Sequence, residues 1–143
     1  MEIRKANSND INELASLMEQ LGYKTSIEQM SVRYKNIEAT QNHYTLVASC
    51  EGKVVGMVGF HTVVLYNTDG IYARVIAFVV DSNYRGKGIG RLLLTEAEIF
   101  AKNLGADGIA LNSGNRTERK KAHQFYENMG YAAKSTGFTK SLI

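Results

Sequence analysis

A chain of 143 residues is the size of one ordinary domain, and 44% hydrophobic against 22% charged residues is a globular balance that excludes an intrinsically disordered chain. The longest uncharged apolar runs, such as Val54–Phe60 and Val75–Val80, fall well short of the about 20 residues a membrane-spanning helix needs, and the opening Met-Glu-Ile-Arg-Lys lacks the apolar stretch of a signal peptide. A net charge of +3 is milder than nucleic-acid binders usually carry and suits a small anionic ligand held at one place.

Glu2–Ala6 reads as a short extended opening. Ser8 or Asn9 can cap a helix beginning near Asp10, where Ile11, Leu14, Ala15, Met18 and Leu21 recur at helical spacing until Gly22 stops it. Ser26 can cap a second helix, Ile27 to Ala39, with Met30, Tyr34 and Ile37 on one side. Tyr44–Cys50 and Val54–Tyr66 are rich in apolar and β-branched residues and flank the turn Glu51-Gly52-Lys53. Asn67-Thr68-Asp69-Gly70 is a second turn, and Ile71–Val80 a third strand of the same antiparallel meander. Cys50, the one cysteine, can neither close an intramolecular disulfide nor supply a set of zinc ligands. It reads as a small apolar filler in a soluble cytoplasmic protein without a metal.

The second half alternates helix and strand. Gly88–Leu104 carries Ile89, Leu93, Ala97, Phe100 and Leu104 on one face, and Gly105 ends it. Asp107–Asn112 is a strand. Glu118–Met129 is a helix with Ala122, Phe125, Tyr126 and Met129 together, ended by Gly130. Tyr131–Ala133 and Gly137–Leu142 read as a final strand pair. The predicted order is β-α-α-β-β-β-α-β-α-β-β, an α/β chain with a mixed sheet, and no linker or repeat divides it.

The stretch richest in chemistry runs from Val79 to Gly90. A strand feeds a loop with glycines at positions 86, 88 and 90, and a helix begins at once. The first N–H groups of a helix have no intrahelical partner and lie at the positive end of its dipole. Glycines let an anion approach the backbone closely, and Arg85 and Lys87 add positive charge. A P-loop would need Ser or Thr after Gly86-Lys87, where Gly88 stands. The dinucleotide pattern G-x-G-x-x-G fails as well, landing on Arg91 from Gly86 and on Leu93 from Gly88. A plain strand-to-helix turn without a ligand is the competing reading.

Arg85-x-x-Gly88-x-Gly90 matches the Arg/Gln-x-x-Gly-x-Gly/Ala signature of the GNAT superfamily, the acetyl-coenzyme A-dependent N-acetyltransferases. The chain resembles that family over nearly its whole length. Ile3-Arg4-Lys5-Ala6 with Asp10 and a helix ending Leu21-Gly22-Tyr23 is similar to its opening, and Ala122-His123-x-Phe125-Tyr126-x-x-x-Gly130-Tyr131 to its late helix and following strand. The resemblance implies one N-acetyltransferase domain over residues 1–143. Its α/β (α+β) fold would have a mixed, mostly antiparallel sheet of about seven strands and about four helices, splayed between the fourth and fifth strands.

It also implies where acetyl-coenzyme A would lie. Phe78, Val79 and Val80 would pair with the pantetheine arm. Backbone amides around Arg85, Gly86, Lys87, Gly88, Ile89, Gly90 and Arg91 would hold the pyrophosphate, with Asn112, Asn115, Arg119, Lys121 and Tyr126 completing the coenzyme site. The amine of a small molecule or a protein would attack the thioester directly. Tyr126 stands where the family often has the tyrosine that protonates the departing thiolate; the alternative is a half-buried phenol that bonds the sulfur or a water and transfers no proton. Arg119, Lys120 and Lys121 would meet coenzyme phosphate or simply face water. Asn115 is a pantetheine contact or a loop cap, and His123 a base or a packing residue. Partners implied are an amine acceptor, no nucleic acid and no membrane, with a homodimer left open.

Many family members place an acidic residue on the strand before the loop, at the positions of Ile76 or Ala77, so the expected general base is missing there. Glu28, Glu51 or Glu118 acting through water, or deprotonation in bulk solvent, would replace it. This departure keeps open a non-catalytic acyl-coenzyme A binding module of the same fold. Ser82 stands where proline is common, and Tyr84 packs the loop. Tyr23, Tyr34, His43, His61, Tyr66 and Tyr72 are candidate acceptor-lining residues, each of which serves equally well as core or surface.

Overall fold

The computed structural model describes residues 1–113 and 120–143. The chain opens on β1 (Glu2–Lys5), and a 3-10 turn at Ser8–Asp10 leads into α1 (Ile11–Leu21). The cap is Asn7 rather than Ser8 or Asn9. Its side chain accepts the Asn9 N–H at 2.9 Å, and the Asp10 carboxylate accepts the Asn7 N–H at 2.9 Å. This reciprocal arrangement satisfies two donors that the helix start would otherwise leave unpaired. Gly22, at φ 116°, closes α1 in the left-handed conformation that glycine adopts without a Cβ penalty. Ser26 and Gln29 form a second capping box for α2 (Ile27–Ala39).

A meander of β2 (His43–Cys50), β3 (Lys53–Val64) and β4 (Ile71–Val80) follows. α3 (Ile89–Asn103) then leads to β5 (Ala106–Leu111), which lies parallel to β4, and α4 (Lys120–Asn128) comes last. The sheet order is β1-β2-β3-β4-β5. Helices cover both faces. α3 presents Ile89, Leu93, Leu94, Ala97 and Ala101 to Leu46, Val58, Phe60, Ala73 and Val75. α1 and α2 set Leu14, Leu17, Met30 and Tyr34 against Val47, Val54, Met57 and Val79 on the other side. Burial on both faces explains why residues 54–60 are continuously apolar instead of alternating.

Among the described residues the sheet has five strands rather than about seven, and the expected final pair does not form. Gly130 turns the chain at φ 92°, and the Tyr131 N–H returns to the Tyr126 carbonyl. Beyond Tyr131 every residue is exposed, with Phe138 at 93% and Leu142 at 92%. Scattered between Lys, Ser, Thr and Gly, these two side chains bury no face, so nothing offsets the entropy of ordering a strand.

Two departures from a regular sheet shape the molecule. Pairing between β4 and β5 runs from Ile71↔Ala106 to Val75↔Leu111 and stops there, while β4 continues to Val80 against β3 alone. The last five residues of β4 thus extend past the end of β5 at Leu111. The β3–β4 register also shifts, because Gly59 faces Ala77 and Phe60 faces Val75. Ile76 is the extra residue of a bulge, which bends β4 where its partner on the other side has been lost.

Candidate functional site

β4 extends past β5 toward the glycine-rich loop, and several bonds hold that loop in place. The Asp81 N–H donates to the Val55 carbonyl at 2.8 Å, and the buried Asp81 carboxylate accepts the Asn83 N–H at 2.9 Å. The Ser82 N–H donates to Gln20 Oε1 of α1 at 2.8 Å. Arg85 Nε donates to the Val80 carbonyl at 3.1 Å, so this arginine braces the turn it was expected to charge. The Lys87 and Lys53 ammonium groups lie 5.4 and 5.7 Å from the centre of the Tyr84 ring, which anchors the loop as expected.

Gly86 and Gly88 have φ of 76° and 81°, and the position a Cβ would take at either has no atom within 4 Å. The backbone is thus exposed where a side chain would have covered it. Gly88 caps α3, whose first turn contains no acidic residue, and Arg91 stands exposed within it. N–H groups without intrahelical partners, the positive end of a helix dipole and nearby cations together make an anion cradle. Gly90 has a different reason. A Cβ there would touch Phe78, Val80 and Phe125 at 3.5–3.7 Å, an ordinary contact that a methyl group can make.

α4 packs on the part of β4 that extends past β5. The rings of Phe125 and Tyr126 lie 6.0 and 6.3 Å from that of Phe78. Tyr131 holds the end of α4 in place. Its ring is 6.1 Å from Tyr126 and its hydroxyl donates to Glu98 of α3 at 2.7 Å, while burial pushes its phenol well above the usual range. Phe78, Val80 and Gly90 are brought together with Phe125, and Phe78 with Tyr126, whereas Val79 is buried in the α1/α2 core on the other face. Asn112 lies just past β5 and Lys121 is exposed on α4. Asn115, Glu118 and Arg119 lie outside the described residues.

The candidate acceptor residues divide. Tyr34 is core, and burial followed by Glu38 pushes its phenol up to about 12. Tyr23 and Tyr66 are exposed, and the Tyr72 ring fills the space left by the absent side chain of Gly108. His43 and His61 come together instead, their rings stacked 5.0 Å apart. Ile76 is half exposed and Ala77 packs beside the α1/α2 core, so no carboxylate occupies either position. Glu28 is exposed at the start of α2, and Glu51 sits in the β2–β3 turn at φ 51°.

Comparison with known proteins agrees with this geometry. The family model described as the acetyltransferase (GNAT) family matches residues 10–131. The chain belongs to the GNAT acetyltransferase family. An aminoalkylphosphonate N-acetyltransferase from Salmonella typhimurium is 31% identical over 99% of this chain and 91% of that relative. The crystal structure of a GNAT family acetyltransferase from Staphylococcus aureus is 34% identical, covers 99% and 98% of the two chains, and superposes with a TM-score of 0.85. That of glucosamine-6-phosphate N-acetyltransferase from Arabidopsis thaliana is 25% identical over 99% and 98%, with a TM-score of 0.84.

Two supports of this GNAT site, Glu13 and Gln20, carry no motif. Glu13 of α1 accepts the Val54 N–H of β3, and Gln20 accepts that of Ser82. Both join a helix to a segment distant in sequence, so no local spacing marks them. Arg4 makes a two-pronged ion pair with the buried Asp10, at 2.8 and 2.9 Å. The Arg4 guanidinium and the Asn7 N–H hold the Asp10 carboxyl below the usual carboxylate range.

Proposed function

We propose that this GNAT chain, as one catalytic domain acting in the cytoplasm, transfers an acetyl group from acetyl-coenzyme A to the primary amine of a small molecule. One observation carries the reading. Gly86 and Gly88 leave open space over the backbone of the loop that joins β4 to α3. The residues fit a coenzyme diphosphate: the space above both glycines is open and the surrounding side chains are cationic. The similarity to an aminoalkylphosphonate N-acetyltransferase over nearly the full chain supports a small acceptor.

When bound, acetyl-coenzyme A supplies the acetyl group as a thioester. In this reading the unpaired edge of β4 between Phe78 and Val80 aligns the pantetheine arm through backbone bonds and offers an N–H to the carbonyl oxygen. The acceptor nitrogen bonds to the acetyl carbon as the carbon–sulfur bond breaks. The Tyr126 hydroxyl gives its proton to the leaving sulfur, and the proton shed by the amine returns through water. With Ile76 and Ala77 at the usual acidic positions, the acceptor arrives already neutral or loses its proton to solvent.

Calorimetric titration tests the cradle. Wild type binds acetyl-coenzyme A, and Gly88→Glu, which sets a carboxylate into the open space, weakens binding by at least about tenfold, or 1.4 kcal/mol. Equal affinity would remove the site. Thiol release across a panel of amines separates enzyme from binding module, since a module binds the coenzyme and releases nothing.

A further inference from the structure

The sheet face that α1 and α2 cover carries a row that the proposed reaction does not use. Residues alternate between the two faces of each strand. Val47 of β2 and Met57 of β3 belong to the α1/α2 core, which places His43 and His61 on that same face. His61 pairs in register with His43 on one side and with Arg74 of β4 on the other. Three cation-capable side chains thus stand side by side across three strands.

Among the described residues none of the three forms an ion pair with a carboxylate within 4.0 Å. Arg74 is exposed. The influences on the His61 imidazole are burial, then His43, then Arg74, and all three hold it below the usual histidine range. From β1 and α2, Lys5, Tyr34 and Glu38 border His43 around a cavity of about 200 Å³. Glu38 is engaged with Tyr34, whereas the Lys5 ammonium lies over the Phe100 ring on the opposite face of the sheet. His43 Nδ1 donates to the Gln41 carbonyl at 3.1 Å, since a carbonyl only accepts, and this fixes the tautomer that leaves Nε2 for a ligand. Like charges gathered without an ion-pair partner are unfavourable alone and favourable around an anion.

The row also lies within reach of the chemistry. Arg74 is two residues before the bulge at Ile76 and three before Ala77, about 7–10 Å along the strand at about 3.3 Å per residue. Ile76 presents an uncharged side chain between the two points. We infer that the row of His43, His61 and Arg74 holds a compact oxyanion on the amine acceptor, so that this enzyme selects amines carrying a phosphonate, phosphate or carboxylate a few bonds from the nitrogen. The inference rests on the proposed amine transfer for its role and on the cross-strand register for its place.

Steady-state thiol release with 2-aminoethylphosphonate and with ethanolamine tests the selection. Wild type is expected to prefer the phosphonate by at least about tenfold in kcat/KM, the scale of one charged hydrogen bond. Arg74→Met and His61→Gln should abolish the preference through a raised KM for the phosphonate, and Arg74→Lys should keep part of it. A preference that survives both neutral variants overturns the assignment. If wild type acetylates neither amine, NMR titration of the imidazole signals with methylphosphonate decides the row separately. The His43 and His61 signals should shift together in the wild type and not in Arg74→Met. Unmoved imidazoles would sink the site whatever the enzyme transfers.

Discussion

Asp10 shows how much one side chain can hold. It caps the entry to α1, pairs with Arg4 across the β1–α1 corner and is only 3% exposed. Asp10→Asn keeps the shape and loses the charge-assisted bonds, so urea unfolding at pH 7 should show a loss of about 1–2 kcal/mol, discounted because Arg4 is partly exposed. The folded carboxyl titrates below its ordinary value of 3.8, so the wild-type advantage is full above that pH. It should shrink as pH falls through the folded value, where wild type and variant converge. An advantage unchanged from pH 7 to pH 2 would remove this account. Tyr126 is tested by kinetics instead. Tyr126→Phe keeps the ring against Phe78 and removes the proton donor, so kcat should fall about 100-fold while acetyl-coenzyme A affinity changes little. An unaltered kcat would leave the phenol a packing residue.

The strand, loop and first turn of α3 act as one element, and its glycines are not equivalent. Gly88 needs a left-handed backbone in open space, whereas Gly90 has ordinary φ and room for a methyl group beside Phe78, Val80 and Phe125. Gly88→Ala should therefore cost about 1 kcal/mol in stability from backbone strain, while Gly90→Ala stays within about 0.5 kcal/mol of wild type. Paired thermal melts read the difference. A larger loss in Gly90→Ala would show that the α3–β4 contact has no slack. The same reasoning accounts for the Gly/Ala alternative at the last signature position, which is set by packing rather than by φ.

At the scale of the molecule, two cores share one sheet, and β3 contributes side chains to both. Phe60 is fully buried, its ring 5.4 Å from Tyr44 and 5.8 Å from Phe100, next to the register shift that creates the bulge. Phe60→Ala should lower stability by about 3–5 kcal/mol, a large share of what a domain possesses, and should loosen the β4 edge that the coenzyme reading requires. Denaturant unfolding measures the first effect and hydrogen exchange of the β4 amides the second. A loss below about 1 kcal/mol would mean that the aromatic cluster repacks.

The local features were legible in the chain because their causes are local. Helices follow from apolar residues every third or fourth position, the turns from residues that tolerate left-handed backbone, and the cradle from glycines set where a strand meets a helix. The five main strands and four helices fall close to their expected places for that reason. What depends on partners distant in sequence was not legible. The extra residue at Ile76, the point where β4 leaves β5, the pairing of His43 with His61 and Arg74, and the unformed final strands are all matters of register and burial. Strand spacing says which face a residue takes only once its neighbour is known, because a shift of one position reverses every side chain.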